Sequence, residues 1–224
     1  LGKFKSINGN GAMESNNLTC YTIGHSAHNT EDFISLLKKH DIRYVVDVRS
    51  SPYSKHVPQF NRELLKKDLE ISGLGYIYLG EFLGARYTDH ALFFDGKEMV
   101  DFEKVSKTPG FKQGINRVVE GLKKGYKLAL MCAEKDPFDC HRFVLVSHHL
   151  SKEGVQIQHI REDGRLESND DLETRLLHKY KINYQQVTLF DEALTREQAI
   201  EKAYIERNKD IGYEVVENSA MREV

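Results

Sequence analysis

Two rhythms of apolar and polar positions alternate along most of this chain. Short runs rich in β-branched and aromatic residues are followed by longer stretches with apolar residues three and four apart, the spacing of one buried helix face. Leu18 to Ile23 reads as a strand and ends in Gly24-His25-Ser26. Thr30 is the predicted N-cap of a first helix, with Glu31 and Asp32 where a helix N-terminus favours acids and Phe33, Leu36 and Leu37 on its inner side. Ile42 to Val48 has the β-branched density of a strand buried on both faces. Asn61 caps a second predicted helix, with Leu64, Leu65 and Leu69 inside and Gly73 as its stop. Gly75 to Leu79 is a further strand candidate.

After an irregular stretch from Gly80 to Ser106, of the kind that forms lids and binding loops, the pattern resumes. Thr108-Pro109 opens a third helix, with proline at its first position. Tyr126 to Met131 reads as a strand, Asp136-Pro137 opens a helix that stops at Gly154, and Val155 to Ile160 is a strand before the turn Asp163-Gly164. The alternation predicts an α/β fold: a mainly parallel open sheet with helices on both faces. Helical periodicity follows around Leu172, Leu176, Leu177 and Tyr180, and again after a capping box of Thr195 and Gln198. Ile211 to Val216 suggests a short strand, and Gln186-Val-Thr-Leu-Phe190 an apolar plug. The expected organisation is a disordered leader at 1–17, whose residues before a natural start at Met13 are foreign to the protein, a core at 18–164 and a helical C-terminal extension packed on it at 165–224.

Composition narrows the picture only slightly. Lys+Arg 32 against Asp+Glu 34 gives a net charge of -2, which supplies no bulk drive toward nucleic acid or an anionic membrane. Three cysteines, an odd and small number, argue against a secreted disulfide framework and for a cytoplasmic protein. No apolar run reaches membrane-spanning length.

Ligands of open parallel sheets bind at the carboxyl ends of the strands, so the polar residues that end each strand are the candidates. They are His25 and Ser26; Asp47, Arg49 and Ser51; Cys132 and Glu134, leading on to Cys140, His141 and Arg142; and His159 with Arg161. Cys132, Cys140, His141 and Glu134 are the catalytic candidates, with a cysteine as nucleophile or redox thiol and His25, His141 or Glu134 as acid or base. His25, Ser26, Asp47, Arg49, Ser51, Arg142 and His159 are the ligand-binding candidates, Arg49 and Arg142 suiting a small anionic or nucleotide-like ligand. Cys140 is expected in the first turn of the helix opened by Asp136-Pro137, where free amides favour a thiolate or an anion.

Plainer readings compete with these. A cysteine is often a small buried hydrophobe, and Cys20 fits that description. Asp47 and Arg49 share one strand face and would equally form a structural ion pair. Cysteine and histidine are metal-ligand types, but the spacing of Cys132 and Cys140 is no standard zinc signature. A metal-binding protein using Cys132, Cys140, His141 or His25 is therefore the minor alternative; no metal ligand set is assigned and no cofactor is named. The adjacent His148 and His149 diverge by ~100° on a helix and do not share an ion. A non-catalytic nucleic-acid-binding module is the other alternative, carried by a basic stripe of Arg43, Lys55, Arg62, Lys66 and Lys67. No membrane partner is expected.

Thr22-Ile-Gly-His-Ser26, Asp47-Val-Arg49 with Pro52, and Cys132-Ala-Glu-Lys-Asp-Pro137 with Cys140-His-Arg142 resemble the motifs of the domain of unknown function 488 family. The resemblance continues through His159-Ile160 and Asp163-Gly164, and Leu189-Phe190 resembles longer members. It implies the α/β fold and the site, and brings no assigned reaction. The strand–cysteine–loop–helix layout is also similar to that of rhodanese-like sulfurtransferases, from which it departs in the wide separation of Cys132 and Arg142.

Overall fold

The computed structural model describes residues 18–184 and 194–215. The leader, Gln186 to Phe190 and Val216 lie outside the described residues. Among the described residues, six strands form one sheet: β1 (Thr19–Gly24), β2 (Tyr44–Asp47), β3 (Gly75–Tyr78), β4 (Leu128–Cys132), β5 (Gln156–Ile160) and β6 (Leu166–Ser168). Their order is β3-β2-β4-β1-β5-β6, with β1 to β5 parallel and β6 antiparallel to β5. The α/β class and the largely parallel sheet agree with the sequence reading.

Alternation within the strands sends successive side chains to opposite faces, and each face meets its own helices. Ile23, Val45, Ala129 and Met131 pack against Phe33 and Leu37 of α1 (Thr30–Lys39) and Leu65 and Leu69 of α2 (Arg62–Ile71). Cys20, Val46, Leu128, Leu130 and Ile157 face the other way. There they meet α3 (Gly80–Leu83), α4 (Phe102–Ser106), α5 (Pro109–Lys123), a π-helical turn at Arg142–Ser147 running into α6 (His148–Lys152), α7 (Asn169–Lys179) and α8 (Arg196–Ile211). Among the described residues no helix is long and apolar enough to cross a membrane.

Several local expectations need correction. The side chain that caps α1 is Asn29, which accepts from the Asp32 amide, and Thr30 is the first helical residue. Leu64 is 50% exposed: the inner stripe of α2 is Leu65 and Leu69, one turn apart, under Phe60. Asn61 precedes α2 but spends its side chain on the Ser54 amide. The stretch Gly80 to Ser106 is less irregular than expected, since it holds α3 and α4. In the segment expected to be the last strand, Ile211 ends α8 and Glu214 makes a single antiparallel bridge to Met99.

The topology fixes where a crevice opens. The chain leaves β1 over one face through α1, and leaves β4 over the other face through α6. These two neighbouring strands are thus a switch point, beyond whose carboxyl ends the loops diverge. The residues after β1, β2 and β4 surround it.

Candidate functional site

The ends of the three strands are tied together by backbone. His25 N–H donates to the Cys132 carbonyl at 2.9 Å, Ser26 N–H to Ala133 at 2.8 Å, and Val48 N–H to Met131 at 3.1 Å. Gly24 lets the β4 loop lie directly on β1. A Cβ there would stand 1.9 Å from the Glu134 carbonyl oxygen and 3.1 Å from the Arg142 guanidinium. The next turn puts Ser26 at φ 47°, a left-handed conformation that side chains other than glycine seldom adopt.

Cys132 is the last residue of β4. Asp136 then caps a single 3₁₀ turn, Pro137–Asp139, through the Phe138 amide. Here the sequence reading is corrected: that turn ends at once, and Cys140 has extended backbone (φ -135°, ψ 141°) instead of sitting in a first helical turn. The helix restarts behind it. The Phe143 and Val144 amides donate to the Cys140 carbonyl at 3.0 and 3.2 Å, and the Arg142 amide points at its Sγ at 3.4 Å. Cys140 thus stands in the N-cap position, with its sulfur taking the place of a capping oxygen. The following π turn is a rare geometry found often at functional sites.

Four donor groups converge in this loop. The ligating atoms of Cys132, Glu134, Cys140 and His141 all lie within 4.8 Å of one another. His141 Nδ1 is 3.6 Å from Cys132 Sγ and 3.9 Å from Cys140 Sγ, and Cys140 Sγ is 2.8 Å from Glu134 Oε2. The other ring nitrogen, Nε2, is 3.0 Å from the Val48 carbonyl. A carbonyl only accepts, so Nε2 carries a proton and Nδ1 is turned to the sulfurs. Both thiols are buried, whereas Glu134 is exposed at the mouth of the cluster.

The electrostatics separate the two sulfurs. Burial would raise the Cys140 thiol, but its hydrogen bond with Cys132 and the charges of Arg142 and His141 hold it well below the ordinary thiol range. Burial, together with the neighbouring Cys140, pushes Cys132 well above that range. Glu134 is an exposed residue, but its carboxyl turns inward to Cys140, and desolvation at that end, with Cys140 adding to it, raises it, while Cys140 raises His141 against the effect of burial.

Beside this cluster lies a second, closed network. Arg49 binds Asp47 through Nε at 2.9 Å and Nη2 at 2.6 Å, and its Nη2 also reaches the Phe60 carbonyl. Tyr76 donates to the same carboxylate at 2.6 Å. Arg49 Nη1 is 3.2 Å from His25 Nε2, so that nitrogen accepts and His25 Nδ1 carries the proton toward the Ser26 carbonyl, at 2.9 Å. Burial holds the His25 ring down to about 4, hence neutral.

The remaining candidates are distributed unevenly. Arg142 is fully buried, and its guanidinium holds the Glu134 and Lys135 carbonyls at 2.7 and 3.3 Å, fixing the loop. His159 is also fully buried, with Nδ1 at 2.8 Å from the Thr22 hydroxyl and its ring edge-on to Phe143. Arg161 grips Asp136 at 2.8 Å. Ser51 is exposed, and Cys20 lies in the core with its thiol raised by burial. Of the basic stripe, Arg62 covers the Tyr78 ring and Lys66 pairs with Glu70. Two parts of the site escaped sequence reasoning. Tyr76 could have been noticed as a phenol in a strand, but the Val48 carbonyl is backbone and leaves no mark in the sequence.

The family model described as domain of unknown function DUF488 matches residues 29–149, just over half of the chain and including β2, β4 and all four clustered donors. Neither the curated proteins nor the solved structures yield a match.

Proposed function

We propose that this chain, which belongs to the family of the domain of unknown function DUF488, performs thiolate chemistry on a small ligand at the carboxyl edge of its sheet, with Cys140 as the ionised sulfur. One observation carries the reading. Because His141 Nε2 is committed to the Val48 carbonyl, its Nδ1 is held toward both sulfurs, while the Arg142 amide and the helix start support negative charge on Cys140. In this reading His141 is the partner of the thiolate, Cys132 the second sulfur, and Glu134 the exposed group that a ligand meets first. The buried sulfurs favour a small ligand over a polymer. Arg49 and Arg142 act on the protein itself: one is closed by Asp47, the other by two carbonyls. Three unpaired cysteines suit a reducing, intracellular compartment.

The test is the ultraviolet absorbance of thiolate at neutral pH, in reduced protein treated with a chelator. The expected result is one thiolate per chain, lost in Cys140→Ser and kept in Cys20→Ser. Equal spectra for the parent and Cys140→Ser would end the reading.

A further inference from the structure

We propose that Cys132, Cys140, His141 and Glu134 bind one divalent metal ion of the zinc class in tetrahedral geometry, with Glu134 as the exchangeable ligand. This rests on the reading of the edge as a thiolate centre, and names the cation that the thiolates serve.

The distances favour it. In a tetrahedral zinc site, sulfur lies at ~2.3 Å and histidine nitrogen at ~2.0–2.1 Å from the metal, which sets S···N edges of about 3.6 Å. The two observed separations from His141 Nδ1 are 3.6 and 3.9 Å. The four donor atoms lie within 4.8 Å of one another, and Cys140 Sγ and Glu134 Oε2 are 2.8 Å apart, so side-chain shifts of under about 1 Å bring all four to the about 3.5–3.8 Å edges of a tetrahedral shell. Two soft sulfurs and an imidazole select zinc-like ions over magnesium or calcium, which take oxygen donors.

The surroundings are also those of a ligand set. A metal-binding histidine characteristically donates its other N–H to a carbonyl or carboxylate, which fixes ring and tautomer; His141 donates to Val48. The Arg142 amide gives Cys140 Sγ a further hydrogen bond. Without a cation, a carboxylate oxygen stands 2.8 Å from one sulfur with the second sulfur close by, and like charges so near one another cannot all ionise. A divalent ion offsets that crowding. The adjacent His25 adds no fifth donor, because its free lone pair already faces Arg49.

Exposure decides which ligand can leave. Cys132 and Cys140 are 3% and 1% exposed, whereas Glu134 lies at the surface. Rotation of the Glu134 side chain would leave three protein ligands and one open position, the arrangement of catalytic zinc. A small ligand's oxygen entering there would be polarised by the ion.

The experiment titrates the reduced, chelator-stripped full-length chain with Co²⁺ and then displaces it with Zn²⁺. One Co²⁺ per chain is expected, with a sulfur-to-cobalt charge-transfer band and the intense visible bands of tetrahedral geometry, all lost on adding Zn²⁺. Cys132→Ser and Cys140→Ser should each weaken binding about a hundred-fold or more. Glu134→Gln should keep one ion with a roughly ten-fold loss and shifted visible bands. The proposal is overturned if the reduced parent chain binds no Co²⁺, or binds it with weak octahedral bands; this reading needs no variant to fold. Cys140 thiolate absorbance without cobalt binding removes the metal and leaves the thiolate reading standing, whereas absence of both removes the two together.

Discussion

Asp47 and Arg49, two residues apart at the end of β2, close a bidentate ion pair in which the carboxylate is fully buried and the guanidinium 6% exposed. Tyr76 and the Arg49 amide complete the hydrogen bonding of the carboxylate, and His25 and the Phe60 carbonyl accept from the guanidinium. The pair therefore joins β2, β3, the turn after β1 and the 3₁₀ turn Pro58–Phe60 in one unit. Val48, whose carbonyl aims His141, lies between its two members.

Removal of one partner leaves the other charged and buried, which typically costs about 3–5 kcal/mol. Asp47→Asn should destabilise the protein by that order in urea unfolding. It should also loosen the Val48 carbonyl, lowering the affinity of the His141 cluster for Co²⁺. A loss under about 1 kcal/mol would show that the pair is not the support described here.

Gly24 is the second point where backbone geometry governs the site. The atom in the way of a Cβ is the Glu134 carbonyl oxygen, 1.9 Å from where it would stand, and that oxygen is itself bound by Arg142. Neither β1 nor the loop can yield without moving Cys132 or Glu134. Gly24→Ala should cost about 3 kcal/mol or more and shift the tetrahedral cobalt bands. An unchanged melting temperature and unchanged bands would refute the close approach.

Much of this scaffold was legible in the sequence because its signals are local. The β-branched run around Val45, Val46 and Val48 marked β2, and Gly73, Gly125 and Gly154, all at positive φ, marked helix stops. The sheet edge could be inferred by assuming parallel strands, which brought Cys132, Cys140 and His141 onto one rim. Other features had no such signal. α3 and α4 have four and five residues, too few to show a helical period, and β6 has three. The signs of a helix start at Asp136-Pro137 were present and correct, but they served one 3₁₀ turn, so Cys140 was placed inside a helix that begins behind it. The His141–Val48 bond joins residues far apart in sequence through a backbone atom.

Arg207 of α8 braces the same loop from the C-terminal side. Its buried guanidinium donates to the Phe138 carbonyl at 3.0 Å, pairs with Asp139 and Asp210, and stacks on the Phe138 ring, against which Arg175 also lies. Arg207→Met keeps most of the stacking volume and removes the fork of donors. The expected cost is about 1–3 kcal/mol, with faster amide hydrogen exchange in residues 136–140. Exchange in that loop equal to the parent's would show that α8 does not hold it.

Two histidines, besides the His25 of the strand edge that burial also holds neutral, should make the fold sensitive to mild acid. Burial holds His159 neutral, down to about 3, with the nearby Arg142 charge adding to the effect; burial likewise holds His149 down to about 4. Both titrate near 6.5 once unfolded. Between the folded and unfolded values the unfolded chain binds the extra proton, so their stabilisation is complete above about pH 6.5 and falls as the pH drops. The slope is about 1.4 kcal/mol per pH unit for each, which amounts to about 4 kcal/mol for the two at pH 5. Glu201, held down to about 2 with His148 and Lys152 as its partners despite the effect of burial, loses its contribution only below its unfolded value near 4.3 and stays silent in this window. Urea unfolding at pH 7, 6 and 5 isolates the effect by difference. His159→Leu should lose about 2 kcal/mol less than the parent between pH 7 and pH 5, with every other titrating group common to both. Parallel curves would mean that His159 is already protonated, or solvated, in the native state.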